Sequence, residues 1–167
     1  MTAWLEFKPL EILRLLTERG VDFVVIGGYA AVLHGSPRIT QDLDITFATD
    51  SPNLAALAGV LTDLRARLYG VEEGVAFVAD ERTLARVELL TLETDLGKLD
   101  LLSVPAGAPP YADLLEHAAR FDLGGFLIRV ADIPQLIAMK ETAGRPKDLA
   151  DIAELDAIAR LRGGSGG

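Results

Sequence analysis

The 167-residue chain has no cysteine, which excludes a disulfide framework, a thiolate metal site and a cysteine nucleophile. Histidine is nearly as scarce: His34 and His117 are the only imidazoles, so a zinc centre has almost no ligands to draw on. Aromatics are 6% of the residues, and the most apolar stretch, Phe23 to Leu33, falls well short of the ~20 residues that span a bilayer. The start, MTAWLEFKPLE, lacks the basic-then-apolar order of a signal peptide, so a cytoplasmic protein with no membrane partner is expected.

Positive charge is also short. Lys and Arg total 16 against 25 Asp and Glu, a formal charge of −9, which argues against a surface that grips duplex DNA. The same balance leaves room for one nucleotide in a local basic pocket, or for cations on carboxylates. What is present is a core-forming composition, 50% hydrophobic and 25% charged, at the length of a single domain. That domain is expected over 1–162, with a core over about 1–104, a C-terminal helical part over about 105–162, and a flexible Gly/Ser tail at 163–167. No internal repeat is present.

Patterning places the elements. Leu10, Leu13 and Leu16 follow Pro9 at helical spacing and Gly20 ends that helix. Phe23 to Ile26 is a short β-branched run cut off by Gly27-Gly28, the mark of a buried strand, and Tyr29 to His34 makes a short helix stopped by Gly35-Ser36-Pro37. Asp42 to Phe47 alternates at period two, with Leu43, Ile45 and Phe47 on one face and Asp42, Asp44 and Thr46 on the other. Ser51 and Pro52 read as the cap and first position of an amphipathic helix carrying Leu54, Leu57, Ala58, Leu61 and Leu64. Val75 to Val78 reads as a short strand, and Val87 to Thr94 with Lys98 to Ser103 as a hairpin closed around Asp95-Leu96-Gly97. The loop Ala106 to Pro110 precedes a strand at Phe126 to Val130 and a helix capped by Asp132 that runs to about Thr142. Gly144-Arg145-Pro146 breaks it, and a last helix runs from Lys147 to about Arg162 with Ile152, Leu155, Ile158 and Leu161 as its apolar stripe. His34 is expected at a helix end, its side chain on the last carbonyls.

The chemistry gathers around Asp42 and Asp44. Two carboxylates two apart on a strand project from one face about 6–7 Å from each other, near enough to share a cation. Alone, such a pair more often marks a solvated strand face. Gly27-Gly28, between a strand and a helix start, lets a phosphate approach backbone N–H groups and a positive helix end. Alone, it is a tight turn. Together, the two features make a phosphate cradle beside a cation clamp.

The stretch IGGYAAVLHGSPRITQDLDI, Ile26 to Ile45, resembles the signature of nucleotidyltransferases related to DNA polymerase β: an apolar residue, Gly, Gly or Ser, a gap, then Asp-x-Asp. Thirteen residues separate Gly28 from Asp42. The likeness is closest to the small prokaryotic members, the minimal nucleotidyltransferases and the AbiEii-like toxin family, whose Arg-x-Thr-x-Asp-x-Asp string is matched by Arg38-Ile39-Thr40-Gln41-Asp42-Leu43-Asp44. Ile137-Ala138-Met139-Lys140 and Ala143 to Asp148 with Asp151 resemble the lysine-bearing later motifs of the same relatives. The resemblance implies an α/β (α+β) fold, a mixed β-sheet flanked by helices with a helical C-terminal part.

It also implies a third carboxylate on a neighbouring strand. Asp100 in Lys98-Leu99-Asp100-Leu101-Leu102 fits that setting; Glu93 and Asp95 compete, but Asp95 reads as a turn residue and Glu93 borders the turn. By resemblance, Asp42, Asp44 and Asp100 are the catalytic and metal residues, for two Mg²⁺ ions with Mn²⁺ as the other candidate. Gly27, Gly28, Arg38, Thr40, Lys140 and Lys147 are the nucleotide-binding residues. Arg38 reads either as a phosphate-directed cation or as a partner balancing Asp42 and Asp44; Lys140 and Lys147 converge on a triphosphate or are ordinary surface lysines, the latter paired with Asp151. The implied activity moves a nucleoside monophosphate from an NTP such as ATP to a hydroxyl and releases pyrophosphate. The acceptor is a tRNA, a protein hydroxyl or a small molecule, and a cognate toxin or antitoxin is the implied protein partner. The alternative is a non-catalytic nucleotidyltransferase fold acting as a binding or antitoxin-like regulatory module.

Overall fold

The computed structural model describes residues 6–71 and 77–164. Helix α1 (Pro9–Glu18) buries Ile12, Leu13 and Leu16. Strand β1 (Phe23–Ile26) is buried throughout, which suits its unbroken apolar run to the middle of a sheet. Helix α2 (Gly27–His34) begins at the first glycine, two residues earlier than composition indicated, and ends at Gly35. In β2 (Asp42–Phe47) Leu43, Ile45 and Phe47 lie in the core as expected, while Thr46 on the opposite face is buried as well, so the in–out pattern stops at Ile45.

Helix α3 (Ser51–Asp63) is capped by Asp50 rather than Ser51. The Asp50 carboxylate accepts from the Asn53 N–H at 3.0 Å, while the Ser51 hydroxyl donates to Glu81 at 2.6 Å. Asn53 stitches two strand ends together: its amide exchanges hydrogen bonds with the Asp22 backbone and donates to the Ala48 carbonyl at 2.7 Å. Strand β3 (Arg67–Leu68) and helix α4 (Glu81–Arg86) are additions to the pattern reading; a two-residue strand has no period to detect. The strand expected at Val75 to Val78 begins outside the described residues, and Phe77 and Val78 are not strand.

The hairpin forms from β4 (Leu89–Thr94) and β5 (Gly97–Leu102). Then follow α5 (Tyr111–His117), β6 (Ala119–Asp122), β7 (Leu127–Val130), α6 (Ile133–Ala143) and α7 (Pro146–Gly164). Strand β6 reads Ala-Arg-Phe-Asp and lies at the sheet edge, half exposed, so it offered no apolar run to recognise. The Asp132 cap is a full capping box with Gln135, and Gly144 in the left-handed region turns the chain from α6 into α7. On α7 the apolar stripe stops short: Leu155 is buried, whereas Leu161 is 77% exposed. Ser165 to Gly167 lie outside the described residues.

The strands form one mixed sheet in the order β3-β4-β5-β2-β1-β7-β6. Its centre pairs β1 antiparallel to β2, flanked by the parallel pairs β2 with β5 and β1 with β7. Helix α3 packs with α1 and α4, and α6 packs with α2 and α7, so helices flank the sheet in two groups. No described helix is long and apolar enough to cross a membrane.

Candidate active site

Register decides which carboxylates meet. Strands β2 and β5 run parallel with Asp44 opposite Asp100 and Asp42 opposite Lys98. Side-chain alternation then stands Asp42, Asp44 and Asp100 on one face, with one oxygen of each within 4.8 Å of the others. Of the competing residues, Glu93 pairs with Arg67 on β3, and Asp95 sits in the hairpin turn against Arg65 and Arg67.

The triad is unsettled as it stands. Asp44 Oδ1 and Asp100 Oδ1 are buried without a hydrogen-bond partner. Burial, then the Asp42 and Asp100 charges, push the Asp44 carboxyl up to about 7. Burial also raises Asp100, against the opposing pull of its contact with Asp44 and of the Lys98 charge. An anionic oxygen buried without a donor costs free energy on the order of kilocalories, so this group of hard oxygens suits a divalent cation of the Mg²⁺ or Mn²⁺ kind.

The glycines stand where expected. Gly27 has φ +71, and a Cβ there would run into the Asp44 carboxylate, so glycine is required on both counts. A Cβ on Gly28 would lie 3.3 Å from the Thr40 hydroxyl, which donates to Asp42 Oδ1 at 3.1 Å. The start of α2 carries no side-chain cap, so its first N–H groups have no side-chain acceptor, and the Asp44 carboxylate lies beside Gly27 there.

A cleft of about 560 Å³ opens over this face, walled by the carboxylates on the sheet side and by α2, α6 and α7 on the other. Arg38, Thr40, Lys140, Arg145 and Lys147 all line it. The structure corrects one reading of Arg38: its guanidinium pairs with Asp151 and Glu154 of α7, and not with Asp42 or Asp44. Lys140 Nζ lies 2.8 Å from Asp151 and 3.5 Å from Asp148, so it is not a solvated surface lysine. Arg145 holds Asp148 at 2.9 Å and pulls that carboxyl down to about 2. Lys147 is exposed at the cleft and makes no ion pair with Asp151.

Asp151, expected to pair with Lys147, instead pairs with Arg38 and Lys140, and Asp148 and Glu154 join it in a network that the sequence reading assigns to neither. Their spacing of three was a signal, because it stacks them on one helix face. Ser36 joins the same group through its hydrogen bond to Glu154. His34 also departs from expectation: it is buried, with Nε2 donating to the Ala131 carbonyl at 2.8 Å and Nδ1 accepting from Arg162 at 2.9 Å. It ties the end of α2 to the turn after β7 and to the end of α7.

Two solved structures share this architecture. The lincosamide antibiotic adenylyltransferase LnuA, lincomycin-bound, aligns over 90% of this chain and 95% of its own, with a TM-score of 0.59 at 18% identity. ANT(2")-Ia in complex with adenylyl-2"-tobramycin aligns over 93% of each chain, with a TM-score of 0.56 at 17% identity. At such identity the likeness is one of fold. No curated protein matches the chain. The family described as "Nucleotidyl transferase AbiEii toxin, Type IV TA system" matches residues 14–162, a span that holds the glycines, the three carboxylates and the α6–α7 corner, and the chain belongs to that family.

Proposed function

We propose that the chain is a metal-dependent nucleotidyltransferase of the DNA polymerase β-like kind. It moves a nucleoside monophosphate from an NTP, with ATP among the candidates, to a hydroxyl acceptor and releases pyrophosphate, as the toxin of a pair whose antitoxin is its protein partner. The observation that carries this reading is the pair of buried, partnerless oxygens on Asp44 and Asp100, in register across parallel strands and joined by Asp42.

Asp42, Asp44 and Asp100 would hold the metal, Mg²⁺ first and Mn²⁺ as the other candidate. When bound, divalent ions neutralise the triphosphate and acidify an acceptor hydroxyl. Gly27 and Gly28 give backbone room beside Asp44, and the first N–H groups of α2 point at a phosphate there. Thr40 fixes the orientation of Asp42. Arg38, Lys140 and Lys147 receive the β- and γ-phosphates from the helical side; Arg38 and Lys140 exchange carboxylate partners on α7 for phosphate oxygens as they do so. Asp100 Oδ1, free of any donor, takes the hydroxyl proton. The acceptor oxygen bonds to the α-phosphorus, the bond from that phosphorus to the bridging oxygen breaks, and pyrophosphate leaves with the electron pair.

The test is a titration with each labelled ribonucleoside triphosphate, with and without Mg²⁺, beside Asp42→Asn/Asp44→Asn, followed by incubation with tRNA and total cell protein. The expected result is Mg²⁺-dependent binding of at least one triphosphate, abolished in the variant, with label passed to an acceptor. Binding without transfer would favour a non-catalytic module, and binding that the variant leaves intact would remove the carboxylates from the site.

A further inference from the structure

The carboxylate face of the sheet continues past Asp100. Arg67, Glu93, Lys98 and Asp42 are successive register partners across β3, β4, β5 and β2, so their side chains share one face. Thr91, Asp100 and Asp44 form the next row, and the Tyr69 N–H donates to the Thr91 carbonyl at 3.0 Å, which sets Tyr69 at the outer end of that row. Tyr69 is 53% exposed there, and Thr91, Glu93 and Lys98 are half-buried.

The basic residues on this side are not equivalent. Arg65 and Arg67 are matched by Asp95 and Glu93. Lys98 makes no ion pair among the described residues; its ammonium sits over the Tyr69 ring, 4.3 Å from the centroid. The ring thus holds a positive charge in place without neutralising it, two residues along the strand from Asp100.

Direction of attack gives this charge a use. In a phosphoryl displacement the incoming oxygen and the leaving group lie roughly in line, on opposite sides of the phosphorus. The cations suited to pyrophosphate, Arg38, Lys140 and Lys147, all line the helical side of the cleft. The acceptor therefore arrives from the other side, over Asp100, where Lys98 and Tyr69 are the next groups on the open face.

We propose that Lys98 and Tyr69 form the acceptor subsite, and that it takes a ribose hydroxyl accompanied by a phosphate. Lys98 pairs with the phosphate, Tyr69 packs against the base, and the hydroxyl reaches Asp100. The ribose oxygen gains the bond to the α-phosphorus and loses its proton to the Asp100 carboxylate, and pyrophosphate departs. This inference rests on the transferase reading above and narrows its acceptor; an RNA end and a free mononucleotide offer the same chemistry.

The experiment uses the full chain, saturated with Mg²⁺ and an α-labelled NTP that it binds. The acceptors are a short single-stranded RNA with a free 3′ hydroxyl, a nucleoside 5′-monophosphate, the matching nucleoside, kanamycin and total cell protein. Label is expected on the RNA, the monophosphate or both, with the nucleoside a poor acceptor, and the two phosphate-bearing arms separate the sources. Lys98→Met is expected to raise KM for the phosphate-bearing acceptor about ten-fold and to collapse its advantage over the nucleoside, both acceptors being compared at the same saturating NTP and Mg²⁺ so that loss of the Lys98 charge beside Asp100 affects them equally. Lys98→Arg restores the advantage, and Tyr69→Ala weakens RNA binding measured by fluorescence anisotropy in the absence of NTP. Preferred labelling of kanamycin or protein overturns the proposal. So does an undiminished phosphate preference in Lys98→Met, or no transfer to a phosphate-bearing acceptor by a parent that binds NTP. Failure of the parent to bind any NTP instead overturns the transferase reading, and this inference with it.

Discussion

On the helical wall of the cleft, Arg38, Lys140 and Arg145 face Asp148, Asp151 and Glu154, and each of these six charges has an opposite partner, Asp151 Oδ1 being held by the Arg38 ion pair and by no hydrogen bond. On the sheet wall, Asp42, Asp44 and Asp100 crowd one another, and two of their oxygens have no partner at all. The same functional group thus behaves in opposite ways across one cleft: Asp148 is drawn down to about 2 by Arg145, while burial and like charge drive Asp44 up to about 7. A settled network contributes order to the corner between α6 and α7. An unsettled one has free energy to gain from a ligand, and that contrast marks the sheet wall as the place where a cation belongs.

Removing a carboxylate from the unsettled wall should have the largest effect. Asp44→Asn or Asp100→Asn is expected to lower transfer by on the order of 10³-fold or more, read from initial rates at saturating NTP, because these groups act only where charge develops. Asp44 should also govern stability without metal. Its carboxyl keeps its proton in the fold at a pH where the unfolded chain has released it, so the stabilisation is complete in acid and is lost as pH rises through about 7. The loss by pH 8 should be on the order of 2–4 kcal/mol in denaturant melts. Mg²⁺ should restore much of it, and Asp44→Asn should remove the part of this decline that Asp44 contributes.

The same exchange on the settled wall should have the opposite sign. At pH 8 without metal, Asp44→Asn raises the unfolding free energy; Asp151→Asn lowers it, by about 1–3 kcal/mol, because Lys140 and Arg38 lose their shared partner. If both variants moved stability the same way, the two walls would not differ as described. Lys140→Met should weaken NTP binding about ten-fold in a calorimetric titration. Ile39→Ser should change stability by less than about 0.5 kcal/mol, since Ile39 is 92% exposed at the cleft mouth.

The sheet wall was legible in the sequence because its information is local. Period-two alternation put Asp42 and Asp44 on one face, and the glycine pair lay between a β-branched run and a helical one. Asp100 was reached through the hairpin pattern and the family resemblance together. On the helical wall the cations Arg38, Lys140 and Lys147 were named from the sequence, but their pairing was not legible, because the partners come from distant segments: Arg38 follows α2, Lys140 lies in the last turn of α6, and Asp151 and Glu154 sit on α7. Spacing shows that acids share a helix face; it does not show which cation the fold brings to them. The Lys98–Tyr69 contact depends likewise on the register of three strands, one of them the two-residue β3. His34 ends α2 as expected, but its side-chain partners were out of reach for the same reason, since they are the Ala131 carbonyl and Arg162.

The most direct measurement is a Mn²⁺ titration followed by electron paramagnetic resonance, with and without NTP, on the parent chain and on Asp44→Asn/Asp100→Asn. Loss of the free-ion signal in the parent, strengthened by NTP and absent from the variant, is the expected result. Equal binding by both proteins, or none by the parent with NTP present, would contradict the assignment of the sheet wall as a cation site.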